Sequence, residues 1–337
     1  MTAPPLDPCR LDPAASLNRA RLDGRDARGL LSAPALHRLA VAAGLRPDGP
    51  LRSYLDRCLA DGVPAAVEVA TEFGTRLGRL LAALRAGDRS LKPEWDATWW
   101  HRWTGTRTVW LGGGLCAGEF GAVVAERAAA LVGPGGQVVV ASDPTDLPLV
   151  GAARLAARAD GAALVLDFGH TLVKRAVAEY EDGRLVSLRR LGPAPAAPED
   201  TPGGPLADAV AATVAGGWAD AGRPAGPVVA AMAAYVKDGQ PVRVPLGTYT
   251  RLADVPGRLA ARLRDLLGTE LPLVLVHDGT AAAQAVPPDP HAAVVLVHDG
   301  TAAAQAVPAD PHAVVVLLGS SIGVGFPQRC PDLGGRS

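Results

Sequence analysis

The sequence has few aromatic residues, few lysines and no long apolar runs. Aromatic side chains make up 4% of the 337 residues although 48% are hydrophobic, so a core must be built mainly from Ala, Val and Leu. Three lysines (Lys92, Lys174 and Lys237) stand against thirty arginines, and the formal net charge is −1. No run approaches the roughly 20 apolar residues that span a bilayer. These absences argue against nucleic acid and membrane as partners and favour a cytoplasmic protein.

Cysteine is also scarce, and its spacing excludes two classes of protein. The four cysteines lie far apart and form no C-x-x-C pair, which argues against a structural zinc site and a disulfide framework. Five of the six tryptophans fall in the segment 95–110. We expect this group to pack helices against a sheet rather than to bind a ligand.

Hydrophobic periodicity and turn residues predict an α/β chain. Residues 27–87 have the three- and four-residue spacing of helices. The predicted order from there is strand 108–111, helix 118–131, strand 137–141, helix 146–158, strands 163–167, 173–180 and 185–190, a loop over 192–206, helix 206–220, strand 227–235, helix 252–268 and strand 271–276. Three strands in a meander, followed by alternating helices and strands, are the order of the ribonuclease-H-like fold.

The sequence contains one internal repeat. Residues 275–295 and 296–316 match at all but two positions, 288/309 and 293/314. Two copies are too few for a solenoid, so the pattern indicates a recent tandem duplication or a sequence-assembly error. We expect only one copy to occupy the position that this segment has in the fold.

A phosphate-binding turn is predicted where the first strand of the meander ends. Asp167 closes an apolar strand, and Gly169, His170 and Thr171 follow it. A turn between antiparallel strands can direct backbone N–H groups and a threonine hydroxyl toward a phosphate, and glycine allows close backbone approach. A carboxylate at the strand end can hold Mg²⁺ through water. The alternative is an ordinary hairpin turn, to which the segment alone gives equal weight.

The pattern Asp-x-Gly-x-Thr-x-x-Lys, which runs from Asp167 to Lys174, resembles the first phosphate motif of the ROK (repressor, open reading frame, kinase) family of sugar kinases. The resemblance continues over 162–326. It implies two ribonuclease-H-like lobes around a nucleotide cleft, as in the actin-like ATPases. It also implies ATP and Mg²⁺ as cofactors, a sugar as the small-molecule substrate, and a cytoplasmic enzyme that can form a homodimer.

The carboxylate at the end of the strand 271–276 is the candidate catalytic group. The stretch from 247 to the Ala-rich segment after Asp278 resembles the part of the family that ends in Asn-Asp-Ala-Asn-Ala-Ala-Ala. The resemblance implies that Asp278, or Asp299 in the second repeat copy, is the general base. A carboxylate at a strand end can accept a hydroxyl proton during phosphoryl transfer. It can equally cap the helix that follows, and both roles are compatible.

Two glycine-rich turns resemble the remaining nucleotide motifs of the family. The second phosphate motif would follow the strand that ends near 318, with two serines where Thr and Gly are expected. The adenosine motif would follow the strand 108–111. The residues are Gly319, Ser320, Ser321 and Gly323 for the phosphate turn, and Gly112, Gly113 and Gly114 for the adenosine turn.

The adenosine motif precedes the phosphate motifs, whereas in the family it follows them. The order therefore indicates a circular permutation or a rearrangement of the gene. The expected units are most of the C-terminal lobe over 1–160, the N-terminal lobe over 161–312, and the first strands of the C-terminal lobe over 313–337. Permutation is tolerated when the original termini lie close together.

The function that these patterns predict is ATP-dependent phosphorylation of a hydroxyl on a sugar or sugar derivative. The alternative is a catalytically impaired nucleotide- or sugar-binding regulator, because the family's Glu-x-Gly-His sugar motif is missing and two serines replace its Thr-Gly. Residues 27–60 contain no basic recognition helix of the kind that a DNA-binding regulator carries. An acetate-kinase-like or Hsp70-like ATPase is a third reading of the same fold.

Overall fold

Over the residues that the structure describes, the protein is a mixed α/β structure with two larger sheets. The computed structural model describes residues 16–156, 160–237, 239–244, 247–278, 313–318 and 322–325. In this part of the chain, no helix is long and apolar enough to cross a membrane.

In the described part of the chain, seven α-helices lie before residue 160 and two lie after it. The helices are α1 (Ala27–Leu31), α2 (Ala33–Ala42), α3 (Leu51–Ala60), α4 (Pro64–Ala86), α5 (Ala97–Gly105), α6 (Gly118–Val132), α7 (Leu147–Ala156), α8 (Gly203–Asp220) and α9 (Arg258–Leu267). The helical prediction over 27–87 is confirmed, but the region forms four helices. Gly44 and Gly62 adopt positive φ angles of 82° and 68° at two of the breaks, where the left-handed backbone ends a helix.

The strands form two short hairpins and two larger sheets. They are β1 (Arg21–Leu22), β2 (Arg25–Asp26), β3 (Thr108–Gly112), β4 (Gln137–Val140), β5 (Gly161–Phe168), β6 (Leu172–Glu181), β7 (Arg184–Pro195), β8 (Val228–Met232), β9 (Val236–Lys237), β10 (Gln240–Pro241), β11 (Leu273–His277), β12 (Ala313–Leu318) and β13 (Ile322–Gly325). The five-stranded sheet has the order β11-β8-β5-β6-β7, and the four-stranded sheet has the order β13-β12-β3-β4.

The five-stranded sheet begins with the predicted meander. β5, β6 and β7 pair antiparallel in chain order, whereas β8 pairs parallel to β5 and β11 parallel to β8. The sheet is therefore mixed, and the crossover helices α8 and α9 precede β8 and β11, as parallel pairing requires. The predicted α/β class with a meander followed by alternating helices and strands is confirmed.

Three predicted boundaries in this region are wrong. The loop expected from 192 begins later, because β7 continues to Pro195 as an edge strand, where proline disturbs no further partner. The strand expected over 227–235 ends at Met232. The helix expected over 252–268 is a 3₁₀ helix at Tyr249–Asp254 followed by α9, because Gly257 interrupts it with φ of 77°.

The four-stranded sheet joins distant parts of the chain. β12 pairs antiparallel with β13 and parallel with β3, and β3 pairs parallel with β4. Asn18 closes the outer edge at β13, since its amide donates to the carbonyl of Ile322 and accepts from the N–H of Ile322, both at 2.6 Å. The short N-terminal segment thereby covers a strand edge that would otherwise be exposed.

Two apolar clusters hold these layers together. One lies between the helices α8 and α9 and the face of the five-stranded sheet that packs against them, and includes Leu166 and Phe168. We call this the far face of the sheet and the opposite one the near face. The other contains the N-terminal helices, the four-stranded sheet and the near face of the five-stranded sheet. Helix α7 crosses that near face, where the hydroxyl of Tyr180 donates to the carbonyl of Ala153. Burial raises the pKa of Tyr180, so this donor keeps its proton.

The tryptophan-rich segment packs as expected. Trp95, Trp99, Trp100 and Trp103 are all buried, and the ring of Trp95 lies within 5.2–6.4 Å of the other three. The ammonium of Lys92 lies 5.4 Å from the centre of the Trp95 ring. These contacts bury the four rings inside the helical region, where they pack against one another.

Candidate functional site

The ends of three parallel strands form one edge of the five-stranded sheet. Phe168 at the end of β5 and His277 at the end of β11 are both in register with Met232 at the end of β8. Side chains that follow these positions therefore gather at the same edge. Ligands of open α/β sheets bind beyond the carboxyl ends of the strands, which makes this edge the candidate site.

The predicted phosphate turn is a tight hairpin between β5 and β6. Asp167 is directly opposite Lys174 in the antiparallel register, and the Lys174 Nζ donates to Asp167 Oδ2 at 2.9 Å. The spacing of seven residues thus sets a cross-strand ion pair around a three-residue connection. The side chain of Asp167 is 4% exposed, and the ammonium compensates its buried charge.

The connection itself is anchored on one side and open on the other. The carbonyl of Gly169 accepts a hydrogen bond of 3.1 Å from the hydroxyl of Tyr249, whose ring packs edge-on against Phe168. His170 is half-buried, and Thr171 is exposed. The turn is therefore held by its first residue, while the hydroxyl of Thr171 lies at the surface.

The candidate base lies one residue beyond β11. Asp278 is fully buried, and its Oδ1 is 3.5 Å from Nε2 of His277. The His277 ring stacks on Tyr235 with a centroid distance of 4.7 Å and an interplanar angle of 12°. Asp278 belongs to the first repeat copy. Asp299 of the second copy lies outside the described residues, so the structure does not compare the two.

The predicted adenosine turn lies against the end of β12. Gly112 ends β3, Gly114 opens a 3₁₀ helix, and Gly113 between them has φ of 86°. A Cβ on Gly113 would lie 2.7 Å from the carbonyl oxygen of Leu318, closer than a side chain tolerates. Only glycine fits there, because both the backbone angle and the approach to β12 exclude a Cβ.

The second phosphate motif is described only in part. Gly319, Ser320 and Ser321, which connect β12 to β13, lie outside the described residues. Gly323 lies within β13, opposite Leu317. Cys116 is buried beside this end of β12 in contact with the backbone of Leu318, and burial raises the pKa of its thiol to about 12. It is a packing residue rather than a nucleophile.

A loop that the sequence patterns did not single out links the two sheets. The carbonyl of Pro144 accepts a hydrogen bond of 2.6 Å from the N–H of Gly113. The next residue, Thr145, accepts from Lys174 Nζ through its own carbonyl. Asp146 places Oδ2 2.7 Å from Arg190 and Oδ1 4.0 Å from Lys174.

Continuous contacts therefore run from one predicted motif to the next. Leu318 contacts Gly113, Gly113 bonds to the loop 144–146, and this loop bonds to Lys174, which pairs with Asp167. The structure brings the predicted adenosine turn, the end of β12 and the predicted first phosphate turn into one neighbourhood. No sequence signal marked Asp146, since an Asp after a strand and before a helix is usually a cap.

One described cavity lies away from these elements. It has a volume of about 280 Å³ and lies between the β9–β10 hairpin, α9 and β11, with Leu263, Leu273 and Leu275 among its walls. None of the predicted site residues lines it. Its walls combine these leucines with the polar side chains of Gln240, Arg264 and Glu270.

The oxygen atoms of and around Asp167 are ligands of the kind that a hydrated magnesium ion takes. Its carboxylate already holds one cation, the Lys174 ammonium, and the Thr145 carbonyl and Asp146 carboxylate lie around the same nitrogen. Within the described ranges, no group of three or more His, Cys, Asp or Glu is arranged to hold a metal. Mg²⁺ typically keeps several waters and uses one or two carboxylates, which fits a single anchoring Asp.

The sequence comparisons leave the family open. No protein-family model matches the chain, and no curated protein matches it significantly.

Proposed function

We propose that the protein transfers the γ-phosphoryl group of ATP to a hydroxyl of a sugar or sugar derivative, within a permuted ROK-like fold. The observation that carries the proposal is the common arrangement of the two sheets. Each has one antiparallel hairpin whose first strand pairs parallel with a further strand, and that strand with another: β6-β5-β8-β11 and β13-β12-β3-β4. This is the strand order expected of two ribonuclease-H-like lobes.

The hairpin connections support the same reading. β5 and β6 are separated by Gly169, His170 and Thr171, and β12 and β13 by Gly319-Ser-Ser321, so each connection has three residues and begins with glycine. In an actin-like ATPase these two hairpins face each other across the nucleotide phosphates. Pairing of β12 with β3 also agrees with a permuted second lobe, whose strands come from both ends of the sequence.

In the proposed reaction, the chain's own groups bind, orient and accept a proton. The N–H groups and hydroxyl of the turn 169–171 hold the phosphates, and the turn 112–114 lies beside the nucleoside. Mg²⁺, when bound through Asp167, supplies neutralisation of the developing phosphate charge. Asp278 accepts the proton of the attacking hydroxyl as the new O–P bond forms and the bond to ADP breaks. Closure of the cleft excludes water as a competing acceptor.

A second candidate is a nucleotide-binding protein without phosphoryl transfer. The complete burial of Asp278 favours it, because a base must reach the hydroxyl from which it takes a proton. The stacked His277 and Tyr235 beside Asp278 would then be part of a structural polar cluster.

ADP release against a panel of hexoses, amino sugars and sugar derivatives, together with calorimetric titration of ATP, separates the two candidates. The kinase predicts acceptor-dependent ADP release that Asp278→Asn lowers about 10³-fold with ATP binding unchanged, the usual size of a general-base contribution. Asp265→Asn, which removes an exposed carboxylate on α9, is the matched control. Asp299→Asn shows which repeat copy acts.

ATP binding without turnover for any acceptor would support the binding protein instead. Full activity in both Asp278→Asn and Asp299→Asn would contradict the assignment of the base. Absence of ATP binding would contradict both candidates, because each requires a nucleotide site.

A further inference from the structure

One ammonium group lies between two carboxylates from different parts of the chain. Lys174 on β6 places its Nζ 2.9 Å from Asp167 Oδ2 on β5 and 4.0 Å from Asp146 Oδ1 in the loop before α7. The carbonyl of Thr145 accepts a further hydrogen bond from the same Nζ. The ammonium is therefore bound by Asp167, and a small shift of the Lys174 side chain would bring it to Asp146.

The two carboxylates are held differently. Asp167 is fixed in its strand, and its side chain is 4% exposed. Asp146 is 19% exposed, and Arg190 holds its Oδ2 at 2.7 Å, which leaves Oδ1 directed toward Lys174 at the longer distance. A lysine has a flexible four-carbon stem and three donors, so its ammonium can change carboxylates while it keeps the bond to a carbonyl between them.

A divalent cation at Asp167 would compete with this ammonium. Two cations on one largely buried carboxylate repel each other strongly, because the surrounding dielectric is low. Binding of Mg²⁺ at Asp167 therefore favours a position of Lys174 farther from Asp167. Asp146 offers a carboxylate oxygen 4.0 Å from the ammonium.

We propose that Asp146 is a positioning residue that receives the Lys174 ammonium when a divalent cation occupies Asp167. The inference rests on the magnesium site of the proposed function, although not on the phosphotransfer itself. Asp146 acts through Lys174, and Arg190 keeps its carboxylate in place. The loop 144–146, which also bonds to Gly113, thereby connects occupation of the cation site to the adenosine turn.

The test is titration of the protein with Mn²⁺ alone, followed by electron paramagnetic resonance of the free ion, without nucleotide or acceptor. Asp146→Asn removes the receiving charge, and we expect it to weaken Mn²⁺ binding roughly fivefold, the effect of one partly buried ion pair. Lys174→Met removes the competing ammonium and should tighten binding. In the double variant the effect of Asp146→Asn should disappear, because the ammonium that Asp146 would bind is no longer present.

The matched control is Asp143→Asn, which removes an exposed carboxylate directly before the loop 144–146. A merely electrostatic role for Asp146 predicts equal losses in both variants and an Asp146→Asn loss that persists without Lys174; either result overturns the inference. Asp146→Glu should restore most of the binding. Mn²⁺ binding that Asp167→Asn leaves unchanged also overturns it. Failure of acceptor-dependent ADP release would contradict the kinase while this titration still decides the role of Asp146.

Discussion

The two larger sheets share a strand arrangement but assemble from the chain in different ways. The five-stranded sheet uses strands that follow one another between Gly161 and His277, and its first three form hairpins. The four-stranded sheet pairs β3 and β4 with β12 and β13 from the other end of the described chain. Position in a sheet is thus set by pairing and packing rather than by chain order.

The difference has consequences for stability and folding. Local hairpins close short loops, whereas β3–β12 pairing closes a very long one, so we expect the five-stranded sheet to form first. The four-stranded sheet depends on a few specific contacts at its ends, including the close approach of Gly113 to Leu318 and the bonds between Asn18 and Ile322, which are 304 positions apart. The variants below test whether these contacts are as important as the apolar core of the other sheet.

The largest effect is expected from Gly113→Ala. Its methyl group would meet the backbone of Leu318 at a φ of 86°, and strain plus overpacking should cost about 4 kcal/mol of unfolding free energy. Chemical denaturation measures the loss. Gly114→Ala is the control, because a Cβ there meets nothing within 4 Å. Equal stabilities of the two variants would show that β3 and β12 do not approach as described.

Leu166→Ala tests the core of the five-stranded sheet. The side chain is fully buried in the cluster shared with α8, so its truncation should cost about 3 kcal/mol through lost burial and a residual cavity. Denaturation of Leu172→Ala, where the side chain is 38% exposed, should differ from the wild type by no more than about 0.5 kcal/mol. Similar losses would mean that the sheet face is not packed as described.

Asn18→Ala tests the edge of the four-stranded sheet. It removes both side-chain bonds to Ile322 and leaves two backbone groups to be satisfied otherwise, at a cost of about 2 kcal/mol. Hydrogen exchange should accelerate in β13 and remain unchanged in β6. Asn18→Asp should not restore protection, since it loses the donor to the carbonyl of Ile322. Unchanged exchange in β13 would contradict the proposed importance of this edge contact.

The smallest effect is expected at an ion pair that joins α8 and α9 outside the five-stranded sheet. Hydrogen bonding from Arg258 at 2.8 Å lowers the pKa of Asp208. A lowered carboxyl pKa stabilises the fold above the ordinary value of about 3.9 and loses this effect as pH falls through the lower folded value.

Asp208→Asn should therefore lower the melting temperature slightly at neutral pH. The difference from the wild type should vanish in acid, and it should shrink in high salt because the pair is exposed. Thermal denaturation at several pH values measures it. A difference that is independent of pH would show that Asp208 acts through packing rather than charge.

Local patterns predicted the elements well because their causes are local. The apolar spacing of 27–87 and the apolar strand that ends at Asp167 were both readable from neighbouring residues. The boundary errors arose where context outweighs pattern. β7 continues through Pro193 and Pro195 because it is an edge strand, and Gly257 interrupts a regular leucine spacing that otherwise indicates one helix.

The candidate site also contains contacts that follow from local spacing and contacts that depend on long-range packing. The spacing from Asp167 to Lys174 already contains their cross-strand pairing, because a hairpin with a three-residue connection places them opposite each other. Asp146 and Arg190 could not be found this way, since they meet Lys174 only through packing of a loop and a neighbouring strand. The parts of the second phosphate motif at 319–321 remain predictions from sequence.

The sequence by itself determined the α/β class, the hairpin that follows Asp167 and the glycine turn after β3, because backbone preferences and hydrophobic period act over a few residues. Only the tertiary structure decided that β12 pairs with β3, that Gly113 lies against Leu318, and that the loop 144–146 meets Lys174. Those contacts join segments far apart in the chain, and their energies depend on burial and distance, which exist only after the sheets have packed.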